Sequence, residues 1–204
     1  MIGRLYEGSL AGFGPVEIEH TDGRREPLPV DQWRDGRLGD EALLNRCEGP
    51  TLDVGSGPGR LTVALAERGL PVLGIDVTPY AVELTRAAGA LALLRDVFDR
   101  VPGTGRWETV LLADGNIGIG GDPPVLLRRV AALLSRGGRA IVELGETTHT
   151  EWIRLCDSRQ ASDWFRWSHV AADAIGECAG AAGLAVAGVW TEASRWFAEL
   201  DLAG

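Results

Sequence analysis

The sequence predicts an α/β fold, a mostly parallel sheet with helices on both faces. Three observations predict it. Short apolar runs alternate with amphipathic helical segments from Thr51 to Leu144, the pattern of strands joined by right-handed crossovers. Residues 109–113 are almost wholly apolar, as a parallel strand covered on both faces should be. A glycine-rich turn at 55–59 sits where the first of these strands passes into the first helix.

The elements follow in chain order. Val16 to His20 alternates with period two, and an Asp22-Gly23 turn leads to a return arm, Arg25 to Val30, weakened by Pro27 and Pro29. A short helix starts at Asp31 and carries Trp33 and Arg34; another covers Asp40 to Cys47. Strands follow at 51–54, 71–75, 91–94, 109–113 and 139–144. Helices lie between them at 61–68, 79–88 and 122–134. Thr78-Pro79 and Asp122-Pro123 are good helix starts, and Gly137-Gly138 stops the last of these helices. After Leu144 the period breaks. Residues 150–156 and 161–167 form a second hairpin, Ser168 caps a helix to Ala182, and 184–190 with 196–200 close the sheet as an antiparallel pair.

Composition bounds the function. The 204 residues, 45% hydrophobic and 24% charged, fit one domain with additions and exclude whole-chain disorder. No apolar run approaches the ~18 residues of a membrane span, and Met1 to Glu7 has no signal-peptide pattern, so a cytoplasmic protein without a membrane partner is expected. The formal net charge is −9, and no run is rich in basic residues, so nucleic acid is not the expected partner. Every basic residue is Arg, which removes Schiff-base lysines and the lysine-containing phosphate loop. Cys47, Cys156 and Cys178 are far apart and form no C-x-x-C pair, so neither a disulfide framework nor a zinc knuckle is expected.

The strongest motif is Asp53-Val54-Gly55-Ser56-Gly57-Pro58-Gly59-Arg60. Its glycines permit a tight turn and close approach of a ligand to the main chain. Counted from Gly55, the third glycine of the dinucleotide fingerprint would fall on Arg60, which weakens that reading. The D-x-G-x-G-x-G pattern resembles the first motif of the class I S-adenosylmethionine-dependent methyltransferases, and the resemblance extends from about Thr51 to Leu144. Further marks are Gly74-Ile75-Asp76, Arg95-Asp96-Val97-Phe98, Ala113-Asp114-Gly115-Asn116 and the Leu134-to-Arg139 turn.

The resemblance implies a seven-stranded, Rossmann-like methyltransferase sheet, mostly parallel with an antiparallel C-terminal strand. It implies a domain at 51–204, preceded by an N-terminal hairpin and helical lid segment at 1–50 and interrupted by a substrate-side insertion at about 145–167. It implies S-adenosylmethionine as cofactor, leaving S-adenosylhomocysteine. The cofactor would be held by Asp53, Gly55, Ser56, Gly57, Pro58, Gly59 and Arg60; by Asp76 and Val77 at the ribose; by Asp96, Val97 and Phe98 at the adenine; and by Ala113, Asp114 and Asn116 at the methionine end. A carboxylate suits the ribose because it accepts two hydroxyl hydrogen bonds.

The acceptor side is less defined. Glu146, His149 and Asp114 are candidates for positioning or deprotonating the acceptor. Trp33, Arg34, Asn116, Glu146, His149, Trp164, Phe165 and Trp167 are the candidate substrate residues. The tryptophans form either an aromatic wall over a small ligand or a hairpin packed on the domain. Glu143, Glu146 and His149 lack a standard ligand pattern, and no metal is expected. Asp114-Gly115-Asn116-Ile117 departs from the Asn-Pro-Pro-Tyr type used on DNA bases and glutamine. With the acidic charge this favours a small-molecule acceptor, with an O, N, S or C nucleophile. The alternatives are a methyltransferase fold turned to cyclase, lyase or hydrolase chemistry, and a regulatory module that binds the cofactor. The sequence leaves the oligomeric state open.

Overall fold

The computed structural model describes residues 3–203. Its centre is a seven-stranded sheet. The strands are β3 (Thr51–Val54), β4 (Val72–Asp76), β5 (Ala92–Leu94), β6 (Trp107–Leu112), β7 (Leu134–Leu144), β10 (Leu184–Glu192) and β11 (Arg195–Leu202). Their order is β10-β11-β7-β6-β3-β4-β5, with β11 alone antiparallel to the rest. The order reverses direction at β3 and β6, and ligands of open α/β sheets bind beyond the carboxyl ends of strands at such a point.

Alternation along the strands divides the core. Leu52, Val54, Val110, Leu112, Ala140 and Val142 face α6 (Pro123–Leu133) and α7 (Ile175–Ala181). Leu111, Ile141 and Phe197 face the other way, onto α3 (Asp40–Leu44) and α4 (Arg60–Glu67). The helix α5 (Pro79–Ala87) packs beside α4 over β4 and β5. Pro at its first turn and Asp122 accepting from the Val125 amide at the start of α6 explain where these helices begin.

A second sheet of four strands, in the order β2-β1-β8-β9, joins two distant parts of the chain. The strands β1 (Glu17–His20) and β2 (Arg25–Pro27) form the first expected hairpin; β8 (His149–Cys156) and β9 (Phe165–His169) form the second. β1 pairs with β8, Glu17 opposite Cys156 and His20 opposite Ile153. Its apolar face packs under α1 (Gly3–Leu10) through Leu5, Val16 and Leu155. The helix α2 (Val30–Arg34) follows the hairpin. Among the described residues no helix is long and apolar enough to cross a membrane.

Two expectations are corrected. Ser168 does not cap a helix: it lies in β9 opposite Thr150, and the two hydroxyls are 2.8 Å apart. Strand pairing and packing of Trp167 against Gly118 hold the chain extended until after His169, and the helix starts only at Ile175. The fifth strand of the alternation starts at Leu134 rather than Arg139. A Cβ at Gly138 would fall 2.8 Å from the Trp107 carbonyl oxygen, so its glycine serves close strand approach. The helix α1 was not expected.

Candidate functional site

The loop after β3 is braced from two sides. Gly55 has φ +69°, and a Cβ there would lie 2.7 Å from Asn116 Nδ2. Asn116 donates to the carbonyls of Val54 (2.9 Å) and Gly55 (3.0 Å). The Gly55 and Ser56 amides donate to the Ile75 carbonyl. Asn116 thus holds the loop's shape. Asp53, 2% exposed, lies beneath the loop and accepts from the Thr62 hydroxyl at 2.6 Å. Burial pushes its carboxyl up to about 6. It supports the turn from inside rather than facing open space.

Asp76 closes the loop from the neighbouring strand. One carboxyl oxygen accepts from the Gly57 amide (2.9 Å) and the other from the Thr78 amide (2.8 Å). Each oxygen keeps acceptor capacity for a further donor. Burial raises its pKa above the ordinary carboxylate value. Beside it stands an apolar ledge. Leu94 is the parallel neighbour of Asp76, and Val77, Leu94 and Phe98 are 61%, 49% and 42% exposed. Asp96 lies in the same turn and accepts from the Phe98 amide at 2.9 Å. Val97, by contrast, is buried in the core. Exposed apolar side chains grouped beside partly free carboxylates suit a ligand with a flat apolar part and hydroxyl or amino donors.

At the ends of β6 and β7 lies a compact ion network. Asp114 has φ +52°, uncommon for a residue with a Cβ. Its amide donates to Glu143 at 2.6 Å. Its carboxylate accepts from Arg37 (2.7 Å) and Arg60 (2.5 Å). Arg60 also contacts Asp40, and Arg195 reaches Asp40 and both Glu143 oxygens at 2.8 Å. Burial raises the Asp114 pKa with help from Glu143, while Arg60 opposes it. For Asp40 the Arg60 and Arg195 hydrogen bonds outweigh burial and leave the pKa lowered. Arg60 and Asp114 are therefore engaged with each other. Ala113 is buried beside them.

Tyr6 is a site residue that sequence reasoning missed, because residues 1–15 received no element. A Cβ on Gly57 would lie 3.2 Å from its hydroxyl. Burial, then the charges of Asp76 and Asp114, drive its pKa up. Its ring meets Trp33 edge-on at 5.7 Å. Arg37, Asp40 and Arg195 were missed as well: their charged partners lie 20 to 155 positions away in the chain, beyond any local pattern.

The acceptor-side candidates divide. Phe165 and Trp167 are half-buried, meet edge-on at 6.4 Å and share the inner face of the second sheet. Trp164 lies outside, under the Arg154 guanidinium at 4.7 Å. Arg34 and Glu146 are exposed. His149 stacks on His169 at 4.6 Å and does not join Glu143, which Arg195 occupies. A groove of about 400 Å³ lies behind the glycine loop, among Arg34, Arg37, Arg60 and Glu67, away from the apolar ledge.

The sheet order, the braced glycine loop and the acid at the end of β4 define the class I, Rossmann-like methyltransferase fold. Residues 52–142 match the family model of a methyltransferase domain. An uncharacterized methyltransferase of Mycobacterium tuberculosis H37Rv is 36% identical over 115 residues, 55% of this chain and 46% of its own length. The chain spans about half the length of the curated relatives it matches. Among solved structures, a SAM-dependent methyltransferase from Bacteroides fragilis, in complex with S-adenosyl-L-homocysteine, superposes with TM-score 0.86. It is 22% identical and covers 100% of this chain and 94% of its own. A 1,6-didemethyltoxoflavin-N1-methyltransferase from Burkholderia thailandensis superposes with TM-score 0.59 at 18% identity, over 80% of this chain and 75% of its own.

Proposed function

We propose that this chain transfers a methyl group from S-adenosylmethionine to a small-molecule acceptor. The observation that carries the reading is the pairing of Asp76, with acceptor capacity to spare, and the exposed ledge of Val77, Leu94 and Phe98. A ribose with two hydroxyls and an attached purine suits that pair. In this reading Asp76 accepts from the ribose hydroxyls, Asp96 from the adenine amino group, and the ledge covers the ring. The loop Gly55 to Gly59 and the Asp114–Asn116 turn flank the methionine end. When bound, S-adenosylmethionine supplies a methyl group already activated by its positive sulfur.

The protein's own work is then mainly positioning, which can contribute up to ~7–11 kcal/mol. Residues 1–50 and the insertion at about 145–167 act together as lid and acceptor pocket. The second sheet joins them, and Tyr6 stands at the loop. Phe165 and Trp167 supply flat apolar contact to the acceptor. An acceptor whose nucleophile carries a proton releases it to Glu146 or to solvent. The acidic charge and the covering sheet favour a small acceptor over nucleic acid, and the free cysteines suit the cytoplasm. The test is mass detection of S-adenosylhomocysteine and a product about 14 mass units heavier (CH₃ in place of H, a net gain of one CH₂), over a panel of small nucleophiles. Turnover of S-adenosylmethionine without any methylated product contradicts the reading.

A further inference from the structure

All three histidines of the chain converge on one carboxylate, Glu151. His149 opens β8 and His169 closes β9, and the two are paired across the hairpin. Side chains two apart on a strand share a face, so His149 and Glu151 project together. The imidazoles stack at 4.6 Å with an interplanar angle of 14°. Both Nε2 atoms lie 3.4 Å from Glu151 Oε1. The other Glu151 oxygen is 2.7 Å from His20 Nδ1. His20 is buried, and its Nε2 has no hydrogen-bond partner.

We propose that His149 Nε2, His169 Nε2 and Glu151 Oε1 form a binding site for a divalent transition-metal ion of the zinc class. Two imidazoles and one carboxylate are a ligand set that zinc uses with one position left open. Zinc–ligand bonds of ~2.0–2.1 Å place tetrahedral neighbours about 3.4 Å apart. The two nitrogen–oxygen separations here have that length, at or beyond the long end of ordinary hydrogen bonds. The three ligand atoms all lie within 4.8 Å of one another, so modest side-chain rotation completes the set. His20 then plays the outer part: it orients Glu151 through the oxygen that does not face the metal. His149 and His169 remain partly exposed, which leaves the fourth position open to water or to an oxygen or nitrogen of a small ligand. Phe165 and Trp167 share this face of the sheet. The metal assignment stands apart from the methyl-transfer reading and is read without S-adenosylmethionine.

Full-length protein without a histidine tag should be titrated with Zn²⁺ by calorimetry and with Co²⁺ by visible absorption. One equivalent should bind. The Co²⁺ complex should show the intense d–d bands of low coordination, without thiolate charge transfer, and Zn²⁺ should displace it. His149→Ala, at an exposed position, and Glu151→Gln should each weaken binding at least 100-fold. His20→Ala should weaken it 10–100-fold. If His20→Ala does not fold, His149→Ala and Glu151→Gln still decide the matter. Equal Zn²⁺ affinity in wild type and a His149→Ala/His169→Ala variant, or thiolate absorption from Co²⁺, would overturn the proposal.

Discussion

The two sheets of this molecule are held in different ways. The central strands of the seven-stranded sheet are buried on both faces, and Leu52, Val110, Leu111, Ala140 and Ile141 are fully enclosed. The four-stranded sheet packs one face on α1, and its other face carries the exposed Trp152. Its core is the small cluster of Leu5, Val16 and Leu155 with partly buried neighbours. The smaller sheet rests on that cluster and on the turn at 116–121, where Trp167 packs against Gly118 and Arg166 against Gly121. The Arg37–Asp114–Arg60–Asp40–Arg195–Glu143 network belongs to the larger sheet and the helices on it. It ties the segment before β3 to the ends of β6 and β7.

Breaking that network should have the largest effect. Arg60 has a side chain only 5% exposed and bridges two carboxylates. Arg60→Met should cost about 3 kcal/mol of stability, the lower end for removing one partner of a buried ion pair, because Arg37 and Arg195 remain. Urea unfolding measures it. A loss well below 1 kcal/mol would mean that the network behaves as a solvated surface pair and joins nothing.

The next effect separates ligand binding from stability. Asp76→Ala should weaken S-adenosylhomocysteine binding by ~1.5–3 kcal/mol, the range for hydrogen bonds to a charged group. Calorimetry on the folded variant reads it, and unchanged affinity would remove Asp76 from the site.

Asp53 gives a pH signature of the rigid half. Its carboxyl has an ordinary value of 3.8 and a folded value of about 6. Between these values the folded chain holds more protons than the unfolded one. Its contribution to stability is therefore full below pH 3.8 and falls as the pH rises to about 6. The slope is at most ~1.4 kcal/mol per pH unit. Asp53→Asn should flatten this part of the stability profile, measured by urea unfolding across the range. An unchanged profile would show that Asp53 does not titrate there.

The smallest effects sharpen the contrast between ledge and cover. Phe98→Ala should weaken S-adenosylhomocysteine binding by about 1 kcal/mol through lost ring contact. Trp167→Ala should leave that affinity unchanged and raise the KM of a methyl acceptor. If both variants lose cofactor affinity alike, the second sheet belongs to the cofactor site and is not a separate acceptor wall.

The same contrast explains what was readable from the sequence. In the larger sheet, period and punctuation are local. The Gly55-to-Gly59 turn, Thr78-Pro79 and the acids ending strands all sit within a few residues of what they control. That part of the fold was legible, including the closing antiparallel pair, and so were the two hairpins that build the smaller sheet. The pairing of β1 with β8 joins residues more than 130 positions apart, and no local spacing announces it. The same distance hid the approach of His20 to Glu151, which His149 and His169 reach through their own hairpin. Tyr6 stayed hidden because α1 is short and glycine-bearing, with Gly3 and Gly8 among its residues. Ser168 misled because a helix-capping residue is equally able to bond across a hairpin, here to Thr150.

The most direct measurement is calorimetric titration of the whole chain with S-adenosylhomocysteine, with NAD as the control. The Asp76 and Val77–Leu94–Phe98 geometry predicts one micromolar-class site for the adenosyl-sulfur ligand and none for NAD. Folded protein that binds NAD, or that leaves S-adenosylhomocysteine unbound at millimolar concentration, would contradict it.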